Sequence, residues 1–313
     1  MDKLVSVVLV TYNSSAYIIE ALESIYKQNY SNIELVISDD CSSDDTLEIC
    51  KRWVNENRNR FSRVVILQYP YNTGISANCN RGFKEARGFW IKILAGDDIL
   101  LDNCISDNVY YVLKHPEVRV LQSDTYIIDE DSNIIGKSAP IDDLFKIAPP
   151  NLQFEYFSLS YSCNTTTLFI ERALLQEIGW IDEDIKMMED TQLYARLTLN
   201  GVKLHFMDKI TTGYRTNLSS VSHDDRNNLL FFPSIYNYTI QTNDKYIIPN
   251  LKGAKQLFLK YWIFIIRFFL DHPSLNNKTR ATTLMYFLLV TPCILGNKVL
   301  LNSIKCNIKK TAY

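Results

Sequence analysis

The chain opens with four short apolar runs, each but the last followed by a segment of helical spacing, and this alternation limits the fold more than any other feature. Val5–Val10 is a short β-branched run, as a buried strand would be. Tyr17, Ile18, Ala21, Leu22 and Ile25 then recur at helical spacing, with Ser14 or Ser15 as N-cap. Ile33–Ser38 is the next strand and ends in Asp39-Asp40, after which Ser42-Ser43 caps a helix through Leu47, Cys50, Trp53 and Val54. Val64–Tyr69, a helix over Ile75–Arg87, and Trp90–Ala95 complete the series. Repeated β-α units predict a mostly parallel sheet covered by helices.

Past Asp98 the order loosens. Asp102–His115 reads as a helix stopped by Pro116, and Val118–Ile128 as a strand. Residues 137–162, with Pro140, Pro149 and Pro150, read as an irregular loop over the site. Thr165–Ile170 reads as a strand and Arg172–Ile178 as a short helix. Asp190–Asn200 reads as a helix closed by Gly201.

Two acidic pairs carry chemistry. Asp97-Asp98 directly follows the fourth strand, and Glu189-Asp190 stands at the start of a helix. Carboxylates placed after an apolar strand point from the carboxyl edge of the sheet, where ligands of open α/β sheets bind. Hard cations such as Mg²⁺ and Mn²⁺ take such oxygens and share them with phosphates. A carboxylate on a separate element can act as a base, so the arrangement implies metal-assisted transfer of a group from a nucleotide. The alternatives are local: a strand-end turn for Asp39-Asp40, a cap for Asp97-Asp98, a first-turn acid favoured by the helix dipole for Asp190.

The seven cysteines contain no C-x-x-C pair, which argues against a disulfide framework or zinc site and for a reducing cytosol. Met1-Asp2-Lys3 runs straight into the first strand, so no secretory signal is expected. Residues 251–313 hold ten Lys/Arg against one acid, Asp271, a balance of +9; with −2 for the whole chain, the first 250 residues carry −11. A basic tail rich in Phe, Leu, Ile, Trp and Tyr predicts an anionic membrane surface as partner, rather than nucleic acid. The basic residues 252, 255, 260 and 267 share one arc of a helix over Leu251–Asp271. Ala281–Asn297 is a 17-residue uncharged run, short of the ~20 residues that span a bilayer. Two interfacial helices are expected; a core or homodimer face is the alternative.

The block VSVVLVTYNSSAYIIEALESIYKQNYSNIELVISDDCSSDDT resembles the family 2 inverting glycosyltransferases of the GT-A fold. So does NTGISANCNRGFKEARGFWIKILAGDD, with Asn72, Gly74, Asn78, Asn80 and Gly82 at the family's spacing. GWIDEDIKMMEDTQLYARL is similar to the family's G-F-D-E…E-D-x-x-L-x-x-R pattern, with Trp180-Ile181 replacing the usual pair. The similarity is collinear over roughly residues 4–215. Position 95 is Ala where the family usually has the first acid of L-D-x-D-D, and Gly96 lets a ligand approach the backbone.

The resemblance implies a GT-A, Rossmann-like, mostly parallel sheet, with 1–98 as the nucleotide-sugar half, 99–215 as the acceptor and catalytic half, and 216–313 as a helical extension. It implies that Thr11 and Tyr12 hold base and ribose, that Asp40 accepts uracil N3–H, and that Asn72 shapes the donor pocket. It implies that Asp97 contacts ribose or metal, that Asp98 ligates Mn²⁺ or Mg²⁺, and that Asp190 is the general base beside Glu189. Arg215 or His223 would neutralise the diphosphate; His115, His205 and His272 read as structural or surface groups. The implied reaction moves a sugar from a UDP-sugar to a hydroxyl of a saccharide acceptor, polyprenyl-diphosphate-linked, at the cytoplasmic face of the cell membrane in surface-polysaccharide assembly. A sugar nucleotidyltransferase would need a Gly-rich, basic phosphate loop after the first strand, and TYNSSAY has neither. A non-catalytic membrane-associated binding protein is the rival from another class.

Overall fold

In a computed structural model, which describes residues 3–160, 165–216 and 228–312, the four predicted strands lie side by side. They are β1 (Val5–Thr11), β2 (Ile33–Asp39), β3 (Arg63–Gln68) and β4 (Trp90–Ala95), all parallel, in the spatial order β3-β2-β1-β4. Every residue of β1 and β2 is buried, the polar Ser6 and Glu34 included, as in strands covered on both faces. The covering helices are α1 (Ile18–Tyr26), α2 (Thr46–Asn57) and α3 (Ile75–Glu85), and α1 buries Ile18, Ala21, Leu22 and Ile25 against the sheet.

The chain continues through β5 (Ile99–Leu100), α4 (Cys104–Lys114), β6 (Val120–Ile128), β7 (Ile134–Lys137), α5 (Asp143–Ile147) and α6 (Pro150–Leu159). Then come β8 (Phe169–Glu171), α7 (Arg172–Glu177), α8 (Glu189–Leu199), β9 (His205–Arg215), α9 (Pro233–Thr242), α10 (Gly253–Asp271) and α11 (Arg280–Ala312). The sheet order is β3-β2-β1-β4-β8-β6-β9-β5, with β7 on β6. β8 and β5 are antiparallel to their neighbours, so the sheet is mixed but mostly parallel, as expected.

The chain divides into two compact units. The first, Met1–Pro140 with Cys163–Asp190 and Val202–Thr216, holds the whole sheet. The second comprises Ile141–Ser162, Thr191–Gly201 and Asn217–Tyr313. Within it Phe231 gathers Tyr236, Trp262, Phe269 and Tyr286 into an aromatic centre. Tyr261 on α10 donates its hydroxyl to Leu289 O on α11 at 3.2 Å, and Lys305 on α11 pairs with Asp142 at 2.6 Å.

Several local expectations are corrected. Residues 137–162 hold helices α5 and α6 rather than an irregular loop: Pro150 sits at the first helical position, where a missing N–H costs nothing, and Asp142 caps Leu144 N. Ser14 and Ser15 do not cap α1; the Ser14 carbonyl receives Tyr17 N and Ile18 N instead. Asp44, not Ser42 or Ser43, accepts Thr46 N at the start of α2. Residues 165–167 form a 3₁₀ turn before β8, and α11 runs 33 residues through Pro292, well past the 17-residue uncharged run. Among the described residues α11 is the one helix long and apolar enough to cross a membrane by length and composition.

Candidate active site

Backbone register brings the predicted residues to one edge. Thr11 is level with Asp39, and Val10 with Ala95, across three adjacent parallel strands. Beyond them Asp40 N donates to Thr11 O at 3.0 Å, and Gly96 N to Val10 O at 2.9 Å. Strand order reverses between β1 and β4, and at such a switch point open α/β sheets leave a crevice beyond the carboxyl ends. Thr11 lies in its floor, and Tyr12, half exposed, stands just past it. Gly96 is required there, because a Cβ would lie 2.8 Å from both Thr11 Oγ1 and Ser14 Oγ.

On the β2 side, Asp40 is the hub of a clamp. Its carboxylate accepts Thr73 N, Thr73 Oγ1 at 2.7 Å, Gly74 N at 2.9 Å and Arg81 Nη2 at 2.6 Å. Any base N–H that reaches Asp40 therefore shares it with Arg81. The Arg81 guanidinium lies 4.4 Å from the centre of the Tyr69 ring. Asn72 shapes this turn by accepting Gly74 N. Asp39 turns away to hold Ser42 through its amide and hydroxyl. No role for Arg81 follows from sequence spacing; the hint was an arginine inside the Asn72–Gly82 block.

On the β4 side, Asp98 is buried and Asp97 partly so. Asp98 accepts Thr166 Oγ1 at 2.6 Å on one oxygen and Arg215 N at 2.9 Å on the other. Burial, then the adjacent Asp97 carboxylate, pushes Asp98 up to about 7; burial also raises Asp97. Arg215 was expected near a diphosphate. The structure places its side chain in the interior behind the pair, donating to Asp97 O, Asp129 O, Glu130 O, Ser132 Oγ and Glu20. With its nitrogens committed there, Arg215 fixes the backbone under the acids. His223 lies outside the described residues.

The segment that leads to Glu189 and Asp190 is held by α3. The segment before them is laid along that helix: Asn80 donates to Ile181 O at 2.7 Å and accepts Ile181 N at 3.0 Å, while Ser76 binds Lys186 O and Ile185 O. Gly74, at φ 93°, is pressed against Lys186, where a Cβ would come within 2.7 Å. Cys79 on α3 feels the charges of Glu189, Arg81 and Asp190 together. Burial, then Asp190, raises Glu189 to about 8, so Glu189 keeps its proton at neutral pH.

Two buried polar atoms of this region, Thr11 Oγ1 and Arg81 Nε, have no hydrogen-bond partner among the described residues, which marks polar capacity at the strand ends. The donor set suits a hard divalent cation. Asp97 and Asp98 offer only oxygens, each Asp98 oxygen keeps a lone pair beyond its hydrogen bond, and a cation would relieve the buried charge. Among the described residues no third His, Cys, Asp or Glu completes a cage, so phosphate and water would supply the remaining ligands. His115, His205 and His272 stand apart: His115 beside Glu117, His205 on β9, His272 on the Phe268 carbonyl.

Comparison with known proteins agrees with this geometry. The family profile described as glycosyl transferase family 2 matches residues 6–179. The chain is 28% identical over 224 residues to the UDP-Glc:alpha-D-GlcNAc-diphosphoundecaprenol beta-1,3-glucosyltransferase WfaP of Escherichia coli, a match covering 70% of this chain and 80% of that one. It is 28% identical over 229 residues to the glycosyltransferase GlyG of Streptococcus pneumoniae, covering 71% and 73%. In structure it resembles S. aureus TarS 1–349 in complex with UDP-GlcNAc, with a TM-score of 0.63 at 20% identity, over 96% of this chain and 83% of that one. It also resembles the mannosyltransferase PcManGT of Pyrobaculum calidifontis in complex with GDP-Man and Mn²⁺, with a TM-score of 0.61 at 16% identity, over 99% and 86%. The fold is that of the GT-A glycosyltransferases.

Proposed function

The chain belongs to glycosyl transferase family 2, and from that membership we propose that it moves a sugar from a UDP-sugar to a hydroxyl of a saccharide carried on a lipid diphosphate, inverting the anomeric centre. The observation that carries this reading is that Thr11, Asp40 and Asp97-Asp98 stand at or just past the ends of three adjacent parallel strands, with the segment that leads to Glu189-Asp190 laid along α3. The UDP-sugars of WfaP and TarS, and the diphosphoundecaprenol acceptor of WfaP, support the choice of donor and acceptor.

Each residue then has a task. Thr11 and Tyr12 line the base and ribose pocket, Asp40 accepts the base N–H, and Asn72 holds the turn that closes it. Asp97 and Asp98 would hold Mn²⁺ or Mg²⁺, with Asp97 the more accessible of the two. When bound, such a cation neutralises the charge that develops on the departing nucleoside diphosphate. Asp190 takes the proton of the acceptor hydroxyl as its oxygen attacks the anomeric carbon from the face opposite the leaving group. One displacement turns an α-linked donor into a β-linked product. Glu189, protonated, offers a hydrogen bond that orients the acceptor or Asp190. Residues 1–98 thus serve the donor, 99–215 the acceptor and the chemistry, and 216–313 the membrane.

The tail carries the last assignment. α10 and α11 expose Leu257, Tyr261, Phe264, Leu284, Phe287, Leu288, Leu295 and Val299, with Lys260 and Lys298 also exposed. An apolar surface with basic residues suits the inner leaflet of the cell membrane, where a lipid-linked acceptor shares its plane. A UDP-release assay with a GlcNAc-diphospholipid acceptor tests the whole reading: release that requires acceptor supports it, and no release with any UDP-sugar removes it.

A further inference from the structure

A lysine in the middle of a fully buried strand is costly, and Lys92 of β4 has no exposed surface at all. β4 is paired by β1 on one side and β8 on the other, so Lys92 stands in the interior of the sheet. Its Nζ donates to Thr166 O at 2.6 Å. The hydroxyl of the same Thr166 donates to Asp98 Oδ2 at 2.6 Å. Arg215 stands on the other side in the same relation, with its amide on Asp98 Oδ1 and its guanidinium on Asp97 O. Two buried cations therefore stand one group away from the acid pair, and neither guanidinium nor ammonium pairs with an Asp97 or Asp98 carboxylate oxygen among the described contacts.

This layout has a chemical consequence. A direct ion pair would satisfy Asp98 and consume the lone pairs that a ligand needs. A relay through Thr166 fixes the plane of the carboxylate and places positive charge nearby, yet leaves acceptor capacity on both oxygens. For strand packing alone, an apolar side chain at position 92 would serve as well and avoid the desolvation cost.

We infer that Lys92 and Thr166 are positioning residues: Lys92 anchors the 165–167 turn, and the Thr166 hydroxyl holds Asp98 in the orientation that takes up the cation–diphosphate part of the donor. The inference rests on the reading of Asp98 given above. Its test uses the full chain and isothermal calorimetry with UDP, in Mn²⁺ and in EDTA, alongside thermal melts. Thr166→Val is isosteric and lacks the hydroxyl. It should weaken Mn²⁺-dependent UDP binding by the ~10–100-fold typical of lost outer-shell partners. Its affinity in EDTA should equal that of the parent. Thr166→Ser should recover most of the loss. Lys92→Met should melt no lower than the parent yet show the same Mn²⁺-specific defect. Mn²⁺-dependent affinity within twofold of the parent in both Thr166→Val and Lys92→Met, or a Thr166→Ser variant as weak as Thr166→Val, overturns the inference while the parent's own binding keeps the donor reading intact. A parent that binds no UDP in Mn²⁺ overturns both.

Discussion

Arg81 closes on Asp40 with a nitrogen–oxygen distance of 2.6 Å, and the same guanidinium lies over Tyr69. Asp40→Asn keeps the shape, removes the charge and leaves Arg81 without its counter-ion. It should lower folding stability by about 1–3 kcal/mol, as for hydrogen bonds to charged groups, and weaken UDP binding by roughly tenfold or more. Denaturant titration and calorimetry measure the two effects. Parent-like affinity in Asp40→Asn would move base recognition to another residue.

Gly74→Ala addresses the link between donor pocket and catalytic pair. The new Cβ would meet Lys186 at 2.7 Å in a left-handed backbone conformation. A cost of about 1–3 kcal/mol is expected, with the 181–188 segment displaced. Because that segment ends at Glu189-Asp190, kcat should fall more than donor affinity. Equal losses in both would show that the segment does not place the catalytic acids.

Asp190→Asn should keep UDP affinity and lose transfer by ~10²–10⁴-fold, the range of a removed general base. If Glu189→Gln shows that loss while Asp190→Asn turns over normally, the base is Glu189.

Glu189 also sets a pH dependence. Its proton is held up to about pH 8 in the folded chain, against an ordinary value of 4.5. Between those values the folded state binds more protons than the unfolded one, so stability falls as pH rises through that window. Asp98, raised from 3.8 to about 7, acts in the same direction over the lower part of it. Melting temperatures in EDTA should therefore decline from pH 5 to pH 8, and Glu189→Gln should flatten the decline. A Glu189→Gln profile as steep as the parent's would mean that Glu189 is ionised throughout.

The sheet was legible because its strands are buried on both faces, which favours the largely apolar runs at Val5–Thr11, Ile33–Asp39 and Trp90–Ala95. Asp97-Asp98 was legible because it follows such a run, and Glu189-Asp190 because it opens a helix. Caps were not, since α1 begins on the Ser14 carbonyl and α2 on Asp44, choices made by tertiary geometry among several polar residues. Pro149 and Pro150 looked like breakers, yet proline is also at home in a first helical turn. Arg81, Thr166 and Lys92 matter through partners dozens of residues away. Of these, Lys92 left a signal as a charge in the middle of WIKIL and Arg81 as an arginine inside the Asn72–Gly82 block, while Thr166 left none. The resemblance put Arg215 near the leaving diphosphate, but its commitment to buried carbonyls at the end of β9 depends on a fold that spacing does not reveal.

The most direct test of the central claim is the stereochemistry of transfer. The chain is incubated with Mn²⁺, an α-linked UDP-sugar from a panel that includes UDP-Glc and UDP-GlcNAc, and a GlcNAc-diphospholipid acceptor in vesicles. The anomeric proton of the product is then read by NMR. A β-linked product, formed only when acceptor and an intact Asp190 are both present, is the predicted result. An α-linked product, or no consumption of any UDP-sugar while the chain remains folded, would contradict the account.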